Sequence, residues 1–411
     1  MPGSVLGPRR PWEGRRVVLG VTGGIAAYKA VQLARDLTRL GATVDAVLTR
    51  GALQFIQPLS FDGVTGRPAL TELFSAEGAA LHIRLGQEAD VVCVAPATAD
   101  FLARAAQGRA NDLLTTTLLA TRAPVILCPA MNDRMFAHPQ TQANIGHLRE
   151  SLSYRIAGPA VGPLAYGEGE GPGRMLEPAE IIEEVGRALT TPSPLEGKRV
   201  LVTAGPTREA IDPVRYLGNR SSGRMGFALA AAAWRRGAEV RVVSGPVALE
   251  DPHGVEVLRV ETAQEMFDEV SDGLPAADVS IFASAVADFR PADPSEGKLK
   301  RADVGPEPAL SLIENPDVAG GTRERRKAGS IVVGFALETR SLLENGQKKL
   351  ETKDFDLLVA NDATEEGAGF EVHTNRVTLL TPGQPNEELP LLSKDEVAEI
   401  ILDRVTSLLE S

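Results

Sequence analysis

Residues 13–24 read EGRRVVLGVTGG, and residues 196–207 read EGKRVLVTAGPT. In both stretches a charged turn leads into a short, continuous run of β-branched residues, and the run is followed by Gly and Thr. A continuous apolar run is typical of a strand that is buried on both faces, as in a parallel sheet. The same kind of strand therefore begins two separate parts of the chain.

A helix and a further strand follow each of these openings. The helices are predicted at residues 28–42 and 226–238, and each ends at a glycine, Gly41 or Gly237, before the next β-branched run. Glycine just after the last periodic residue is a common helix stop. Two β-α-β openings predict two doubly wound α/β domains.

The chain length also predicts two domains, because 411 residues exceed the range in which one hydrophobic core keeps growing. A Pro/Ser/Thr break at residues 189–197 (LTTPSPLEG) has no periodicity and places the boundary near residue 192. We expect a loose tail at residues 1–14, a first domain at 15–190 and a second at 191–411.

Composition excludes several classes of protein. The net charge of -12 argues against nucleic-acid binding, and no run reaches the roughly 18 to 20 apolar residues of a membrane helix. The two cysteines, Cys93 and Cys128, lie in apolar runs and are expected to be buried core thiols. The N-terminus lacks the apolar core of a signal peptide, so a cytoplasmic protein is expected.

A glycine turn after the first strand, Thr22-Gly23-Gly24-Ile25, is a candidate anion site at the start of the following helix. On this motif alone, a tight turn without a ligand is an equally good interpretation. The spacing is not G-x-G-x-x-G, so the sequence disfavours a dinucleotide-dependent dehydrogenase.

Polar residues at later strand ends favour a ligand site. The runs at residues 89–104 (ADVVCVAPATADFLAR) and 123–132 (APVILCPAMN) bring Thr98 and Asn132 to the carboxyl edge of the sheet, where open α/β sheets bind ligands. We expect a convergent set there, namely Thr22, Thr49, Thr98, Asn111 and Asn132. His82 precedes the third strand; a structural or exposed histidine is the commoner case, but a neutral imidazole is also a suitable general base.

These motifs resemble the homo-oligomeric flavin-containing cysteine decarboxylases, in particular the phosphopantothenoylcysteine decarboxylases, over about residues 15–185. The matching stretches are GVTGGIAAYK, LHIRLG, APATADFLAR, GRANDLL and PAMNDRM. The resemblance implies a flavodoxin-like domain with bound FMN and a flavin site that is shared between subunits. It implies that His82 assists oxidation of the substrate's cysteine and that Asn132 binds its carboxylate. The residues implied to contact FMN are Thr22, Gly23, Gly24, Ile25, Thr49, Ala97 and Thr98.

One segment departs from this family. Many relatives carry a proton-donating Cys on a flexible flap, whereas residues 165–175 here read AYGEGEGPGRM, with Tyr166 at the position of that Cys. The identity of the proton donor stays open, and Tyr166 is one hypothesis.

In the second half, residues 203–226 (TAGPTREAIDPVRYLGNRSSGRMG) join a strand to an Ala-rich helix through small and polar residues. The Ser-Ser-Gly turn at 221–223 is a candidate anion cradle, although a long capped turn without a ligand is the alternative. Lys298 follows a strand end, and Lys349 and Lys353 lie four apart on a predicted helix. Three such ammonium groups could neutralise a triphosphate, although lysine clusters are usually solvated faces.

Residues 195–408 resemble the phosphopantothenate–cysteine ligase domain through AGPTRE, DPVRY, N-x-SSG-x-MG, AVADFR, K-x-K and NPD. The resemblance implies a Rossmann-like fold in which CTP, with Mg²⁺, activates 4'-phosphopantothenate as an acyl-cytidylate. Cysteine then displaces CMP. It implies that Lys298 stabilises activation, that Asn219 binds and converts the intermediate, and that Arg215 meets the substrate phosphate. The implied nucleotide residues, with Asp288 on ribose, are Ser284, Asp288, Lys298, Pro316, Asp317, Val318, Phe335, Lys349 and Lys353. Nothing in the residues distinguishes CTP from ATP, and Arg224 stands where relatives commonly have Lys.

The two resemblances together imply the bifunctional family of coenzyme A biosynthesis, which joins cysteine to 4'-phosphopantothenate and then decarboxylates the product to 4'-phosphopantetheine. The alternative is a ligase with an N-terminal regulatory domain that binds flavin but is impaired in decarboxylation. A homo-oligomer is expected, with a dodecamer of decarboxylase domains and dimeric ligase domains as the candidate arrangement. Nucleic acid and membrane are not expected partners.

Overall fold

The computed structural model describes residues 10–74, 80–300, 309–338, 341–362 and 372–410. The chain divides into two compact units between Leu189 and Thr190. Each unit is an α/β domain that is built around its own sheet.

The N-terminal unit contains one central sheet, one hairpin and eight α-helices among its described residues. The strands are β1 (Arg16–Val21), β2 (Thr43–Leu48), β3 (Val91–Ala97), β4 (Val125–Pro129), β5 (Arg155–Ile156), β6 (Ala160–Pro163) and β7 (Glu170–Arg174). The helices are α1 (Ala27–Arg39), α2 (Pro58–Thr65), α3 (Leu81–Glu88), α4 (Ala99–Ala106), α5 (Leu113–Ala120), α6 (Asp133–Ala137), α7 (Pro139–Glu150) and α8 (Pro178–Thr190).

The central sheet has the strand order β2-β1-β3-β4-β5, and every pair in it is parallel. Alternate residues of β1 enter different apolar layers, with Val17 and Leu19 on one face of the sheet and Val18 on the other. This arrangement explains why the strand is continuously apolar. Helix α1 stops at Arg39, and Gly41 adopts the left-handed conformation (φ 101°) that reverses the chain. The β-α-β opening is therefore as predicted.

The segment just before β1 corrects one expectation. A loose tail was predicted for residues 1–14, of which 1–9 lie outside the described residues. Residues 10–14 form a turn. The Trp12 side chain is buried in the core, and the backbone N–H of Trp12 donates to the carbonyl of Leu40 (3.1 Å). The prediction is wrong for residues 10–14, because burial of one large aromatic side chain outweighs the Pro- and Gly-rich composition.

The C-terminal unit contains a longer mixed sheet. Its strands are β8 (Arg199–Ala204), β9 (Arg208–Ala210), β10 (Tyr216–Gly218), β11 (Glu239–Ser244), β12 (Glu256–Arg259), β13 (Val279–Phe282), β14 (Phe289–Pro291), β15 (Leu312–Glu314), β16 (Ile331–Glu338), β17 (Leu357–Asp362), β18 (Thr374–Asn375), β19 (Val377–Leu380), β20 (Glu387–Glu388) and β21 (Leu392–Ser393). Its helices are α9 (Arg224–Arg235), α10 (Ala263–Gly273), α11 (Leu342–Thr352) and α12 (Lys394–Leu409).

The main sheet has the order β12-β11-β8-β13-β16-β17-β19-β20. It is parallel from β12 to β17, and the last two strands are antiparallel. Helix α9 lies close to β8, since a Cβ on Gly226 would stand 2.6 Å from the Cβ of Ala204. The glycine therefore sets the height of the helix above the sheet, and with it the position of the α9 N-terminus.

Helices α9 and α12 pack together and are joined by an ion-pair cluster. Glu399 on α12 accepts hydrogen bonds from Arg235 (2.8 Å) and Arg236 (2.9 Å) at the end of α9. Burial alone would raise the pKa of Glu399. The charges and hydrogen bonds of the two guanidinium groups together have the larger effect, so the net pKa lies below its usual value. The carboxylate is therefore held ionised where the two helices meet.

Two further features agree with the composition. Cys93 and Cys128 are buried free thiols. Among the described residues, no helix combines the length and the apolar character that crossing a bilayer requires.

Candidate active sites

A cavity of about 960 Å³ opens at the carboxyl edge of the N-terminal sheet. This volume lies within the range of small-molecule sites, and the position is the one that open α/β sheets use. Its lining includes seven of the residues that the sequence singled out, namely Thr22, Gly23, Gly24, Ile25, Thr49, Thr98 and Asn132.

Three threonines fix the strand ends around this cavity. The hydroxyl of Thr22 donates to the carbonyl of Pro96 (2.7 Å) and accepts from the N–H of Thr98 (3.1 Å). Thr98 caps α4, and Thr49 accepts from the N–H of Ala52 (3.3 Å). Thr22 and Thr49 are buried, so their hydroxyls hold β1, β2 and β3 together at the cavity floor.

The glycine turn is closed against the loop after β2. A Cβ on Gly23 would lie 2.8 Å from the carbonyl carbon of Gly51, so only glycine fits there. Helix α1 then begins with no side-chain cap and no acidic residue in its first turn. Uncapped N–H groups at a helix N-terminus favour a bound anion, and this turn can therefore hold a phosphate.

Asn132 lies opposite this turn with a fixed orientation. Its Oδ1 accepts from the N–H of Arg134 (2.9 Å), which caps α6 and leaves the Nδ2 donor for a second partner. That partner is Glu168, whose Oε2 accepts from Nδ2 at 3.1 Å. Glu168 and Tyr166 both line the cavity from the segment between β6 and β7, and the Tyr166 side chain is fully exposed.

In addition to Arg104, the cations Lys29 and Arg174 line the cavity. Lys29 donates to Glu177 (2.7 Å), and Arg174 contacts the same carboxylate. The hydrogen bond from Lys29, reinforced by Arg174, lowers the pKa of Glu177. Sequence reasoning missed both cations; the one signal was that Lys29 follows the glycine turn by a single helical turn.

Three predicted residues lie outside the cavity lining. One is Asn111, which is exposed and whose Oδ1 accepts from Arg104 (3.4 Å). Ala97 is fully buried at the end of β3, where its carbonyl accepts from the N–H of Ala130 (3.1 Å). His82 lies on α3, and its Nδ1 is buried without a hydrogen-bond partner among the described residues. This chain alone does not bring His82 to Asn132.

The C-terminal unit has a cavity of about 490 Å³ at the carboxyl edge of its own sheet. Twelve of the predicted residues line it, namely Asn219, Ser221, Ser222, Gly223, Ser284, Asp288, Pro316, Asp317, Val318, Phe335, Lys349 and Lys353.

The N-terminus of α9 forms one wall of this second cavity. Gly223 is left-handed (φ 76°), and no side chain caps the helix. Arg224 lines the wall, and its Nε is buried without a partner in the described part of the chain. An uncapped helix end with a guanidinium beside it favours an anion.

A second wall is held by polar side chains on the strand ends. The Nδ2 of Asn219 donates to the carbonyls of Ala285 (3.1 Å) and Val286 (3.0 Å). The hydroxyl of Thr203 donates to the Oγ of Ser284 (2.8 Å). The Asn219 bonds tie the loop after β10 to the loop after β13, and the Thr203 bond ties the end of β8 to the same loop.

Lys349 and Lys353, near the end of α11, line the cavity and are already paired with carboxylates. Lys349 donates to Glu338 (2.7 Å), and Lys353, which ends the helix as its C-cap residue, donates to Asp317 (2.9 Å). Burial alone would raise the pKa of Asp317. The hydrogen bond from the N–H of Gly320 and the Lys353 ammonium together have the larger effect, so the net pKa lies below its usual value.

Lys394 is a cavity residue that sequence reasoning missed. It is buried at the first position of α12, and burial, followed by repulsion from Arg224, lowers its pKa to about 8. A cation at a helix N-terminus opposes the helix dipole. A lysine directly after the capping residue Ser393 is therefore unfavourable for the helix, and this could have marked Lys394 in the sequence as a candidate functional residue.

Lys298 and Arg215 do not line this cavity. Lys298 is exposed, and its neighbour Leu299 is held by two bonds: its N–H donates to Asp212 (3.1 Å), and its carbonyl accepts from Arg215 (2.8 Å). The hydrogen bond from Arg215 holds the pKa of the buried Asp212 well below its usual range. The Asp212–Arg215 pair thus anchors the segment that carries Lys298.

In the described ranges, no three His, Cys, Asp or Glu side chains form a group that could hold a metal ion. Two carboxylates, Asp288 and Asp317, do line the second cavity.

Comparison with known proteins identifies the family. A family model described as "Flavoprotein" matches residues 7–190, and one described as "DNA/pantothenate metabolism flavoprotein C-terminal domain" matches residues 195–409. The chain is 46% identical over 398 residues to the coenzyme A biosynthesis bifunctional protein of Vibrio vulnificus strain YJ016, covering 96% of this chain and 98% of that protein. The chain belongs to this bifunctional family. The predicted family and the predicted α/β fold class are both confirmed.

A second relative and one solved structure are also similar to the chain. The bifunctional protein of Escherichia coli strain K12 is 43% identical over 397 residues, which cover 96% of this chain and 97% of that protein. A crystal structure of the C-terminal domain of a coenzyme A biosynthesis bifunctional protein is 40% identical, covers 53% of this chain and 98% of that chain, and has a TM-score of 0.45.

Proposed function

We propose that the chain catalyses two consecutive steps of coenzyme A biosynthesis, each in its own domain. Residues 191–411 would join cysteine to 4'-phosphopantothenate, and residues 15–190 would decarboxylate the product. The observation that carries this proposal is the nearly full-length match to bifunctional relatives, combined with an anion-suited cavity in each unit. A cytoplasmic location fits this role.

The first cavity suits FMN. The glycine turn packs too closely against Gly51 for a Cβ on Gly23, and the helix end behind it carries no acidic residue. Thr22, Gly23, Gly24, Ile25, Thr49 and Thr98 would hold the cofactor, with Ala97 contributing through its backbone. FMN, when bound, would supply the hydride acceptor and donor that decarboxylation of a cysteine carboxylate needs.

Asn132 would bind the substrate carboxylate through its Nδ2, because Oδ1 is committed to the α6 cap. His82 would assist oxidation of the substrate thiol. Since His82 lies outside this chain's cavity, we propose that it faces the cavity of a neighbouring copy in a homo-oligomer. A dodecamer through the decarboxylase domains, with dimeric ligase domains, is the proposed assembly.

The second cavity suits a nucleoside triphosphate, for which we propose CTP. Lys349 and Lys353 would exchange their carboxylate partners for phosphate oxygens, and Arg224 would add a third cation. Asp288 would contact ribose, and Phe335 the base. Mg²⁺ keeps several waters and binds through one or two carboxylates plus phosphates, so Asp317 or Asp288 would suffice without a larger metal cluster.

The remaining ligase residues would act on the acyl group. Activation turns a carboxylate, which is a poor acyl donor, into an acyl-cytidylate with CMP as the leaving group. Asn219 would hold this intermediate beside the loop after β13, and Lys298 would stabilise activation. Arg215 would serve the substrate phosphate while it anchors the Lys298 segment through Leu299.

One experiment tests both halves. The purified chain is given 4'-phosphopantothenate, cysteine and either CTP or ATP, and CMP (or AMP) and CO₂ are measured separately. Asn132→Ala should stop CO₂ release and leave CMP release intact, whereas Lys298→Ala should stop CMP release and leave decarboxylation of added 4'-phosphopantothenoylcysteine intact. Release of CMP without CO₂ by the unchanged chain would instead support the flavin-binding regulatory alternative.

A further inference from the structure

The segment between β6 and β7, residues 164–169, carries Glu168. Its carboxylate accepts a hydrogen bond from the Nδ2 of Asn132, the group that is proposed to bind the substrate's carboxylate. Hydrogen bonds from Leu164 N–H to the carbonyl of Gly169 and from Glu168 N–H to the carbonyl of Ala165, both 2.9 Å, close this flap into a compact turn. Gly167 (φ 83°) and Gly169 (φ 80°) adopt left-handed conformations on either side of Glu168. The turn therefore presents the Glu168 side chain to the cavity.

We propose that Glu168 is the acid that protonates the substrate carbon from which CO₂ has departed. This inference rests on the proposed decarboxylase function and on Asn132 as the carboxylate-binding residue. Glu168 accepts from the same Nδ2 that would hold the substrate carboxylate. This NH₂ group has two hydrogens, but two anions on one amide nitrogen repel each other, so the two carboxylates compete for it. Substrate displaces Glu168, and departure of CO₂ lets Glu168 return to Asn132.

This exchange places a carboxyl group where the proton is needed. After the substrate's thiol-bearing carbon has been oxidised to a thioaldehyde, the bond to CO₂ breaks and its electron pair forms a carbon–carbon double bond, with the charge on sulfur. Completion requires a proton at the carbon that lost CO₂ and a hydride at the sulfur-bearing carbon, which reduced FMN would supply when bound. The O–H bond of Glu168 breaks, the C–H bond forms, and the saturated thiolate results. Glu168 is exposed, so it can take up this proton from water while the substrate holds Asn132, and donating the proton returns Glu168 to the carboxylate form that Asn132 binds.

Other acids on or beside the cavity wall fit this task less well. Tyr166 occupies the position where relatives carry a thiol, but its side chain is fully exposed, and no hydrogen bond to Asn132 is found for it among the described residues. Asp100 pairs with Arg104 at 3.0 Å. Glu177 lies outside the cavity lining and is engaged by both Lys29 and Arg174. Glu168 is the cavity carboxylate that contacts Asn132.

The test uses the flavin-loaded full chain with 4'-phosphopantothenoylcysteine. In Glu168→Gln, which keeps a hydrogen-bond acceptor but carries no acidic proton, one CO₂ per flavin should still be released in a single turnover, while formation of the saturated thiol falls at least about tenfold. The unsaturated thiol, lighter by two hydrogens, should accumulate and be seen by mass spectrometry. Glu168→Asp should recover part of the saturated thiol. Glu170→Gln, an exposed carboxylate two residues along the chain, and Tyr166→Phe should both form product as the unchanged chain does.

Saturated thiol formed by Glu168→Gln at the unchanged rate would overturn the proposal, and so would accumulation of the unsaturated thiol in Tyr166→Phe. A chain that releases no CO₂ before any substitution would overturn the proposed decarboxylase function instead.

Binding provides a readout that does not depend on turnover. The serine analogue of the substrate keeps the carboxylate and lacks the oxidisable thiol. Glu168→Ala should bind it about three- to tenfold more tightly than the unchanged chain, because the competing anion on Asn132 has gone. 4'-Phosphopantetheine, which has no carboxylate, should not show this gain. Weaker binding of the serine analogue would mean that Glu168 assists the carboxylate and would overturn the exchange.

Discussion

Replacing the two paired lysines of the ligase cavity one at a time tests the proposed nucleotide site. Lys353→Met and Lys349→Met keep most of the side-chain volume and remove one positive charge each. Both ammonium groups line the cavity, and both are already held by carboxylates, at 2.9 Å and 2.7 Å. Each substitution should therefore weaken nucleotide binding and leave the fold intact.

The expected magnitude follows from the exposure and the existing partners. The lysine side chains are 31% and 42% exposed, so each charge pair is partly screened by water. A triphosphate must also displace Asp317 or Glu338 from the lysines. The net gain in binding free energy is therefore only the difference between the lysine–phosphate and the lysine–carboxylate contacts. We expect each substitution to cost about 1 to 2 kcal/mol of nucleotide-binding free energy. This value lies between those of an exposed ion pair and a buried charge-assisted hydrogen bond. That is about a 5- to 30-fold rise in Kd.

The assay is calorimetric titration of the full chain with CTP and, separately, with ATP. Lys348→Met is the matched control, because Lys348 is exposed on the same helix and does not line the cavity. The difference between the cavity variants and the unchanged chain should shrink as salt is added, since screening weakens phosphate contacts. An effect below about twofold for both cavity lysines, or an equal effect for Lys348→Met, would refute the proposed phosphate contacts.

Three further substitutions have expected outcomes. Asp212→Asn removes the charge that anchors the segment carrying Lys298, so CMP release should slow about tenfold while calorimetric CTP affinity stays constant; a matching loss of affinity would contradict the anchoring role. Gly23→Ala places a Cβ 2.8 Å from Gly51, so the purified protein should lose its visible flavin absorbance, and a protein that stays fully yellow would contradict the phosphate cradle. Glu399→Gln should lower the free energy of unfolding by about 2 kcal/mol at neutral pH, measured by urea denaturation. Because the pKa of Glu399 is lowered by folding, this contribution is present above about pH 4 and is lost as the pH falls further, so the gap between the two proteins should close in acid.

Much of the architecture could be predicted from local signals. Buried parallel strands produce continuous apolar runs, and Gly41 and Gly237 stop the helices that follow, as the structure confirms with φ values of 101° and 91°. Carboxyl ends of parallel strands meet at one edge, so Thr98 and Asn132 line one cavity although 34 positions separate them in the sequence. These inferences needed only strand direction and helix stops.

What escaped prediction depends on contacts between distant segments. The partner of Asn132 is set by how a glycine-rich turn folds over the cavity, and no periodicity encodes that turn. Lys394 reaches the second cavity from the last helix, through packing of α12 on α9. His82 was grouped with Asn132 by resemblance alone, and one chain does not join them. Lys298 was assigned to the nucleotide site, yet its segment is anchored by Asp212 outside the cavity lining.

The two cavities share one physical feature, which is that protein carboxylates hold the groups proposed to bind substrate anions. Glu168 accepts from Asn132, Glu338 from Lys349 and Asp317 from Lys353. An unpaired donor or cation in a partly buried cavity would cost free energy and would sample several orientations. A carboxylate partner removes that cost and fixes the side chain close to its binding geometry. The substrate anion must then displace the partner, which lowers affinity but lets the site return to its starting state once the anion has left as CO₂ or with the spent nucleotide.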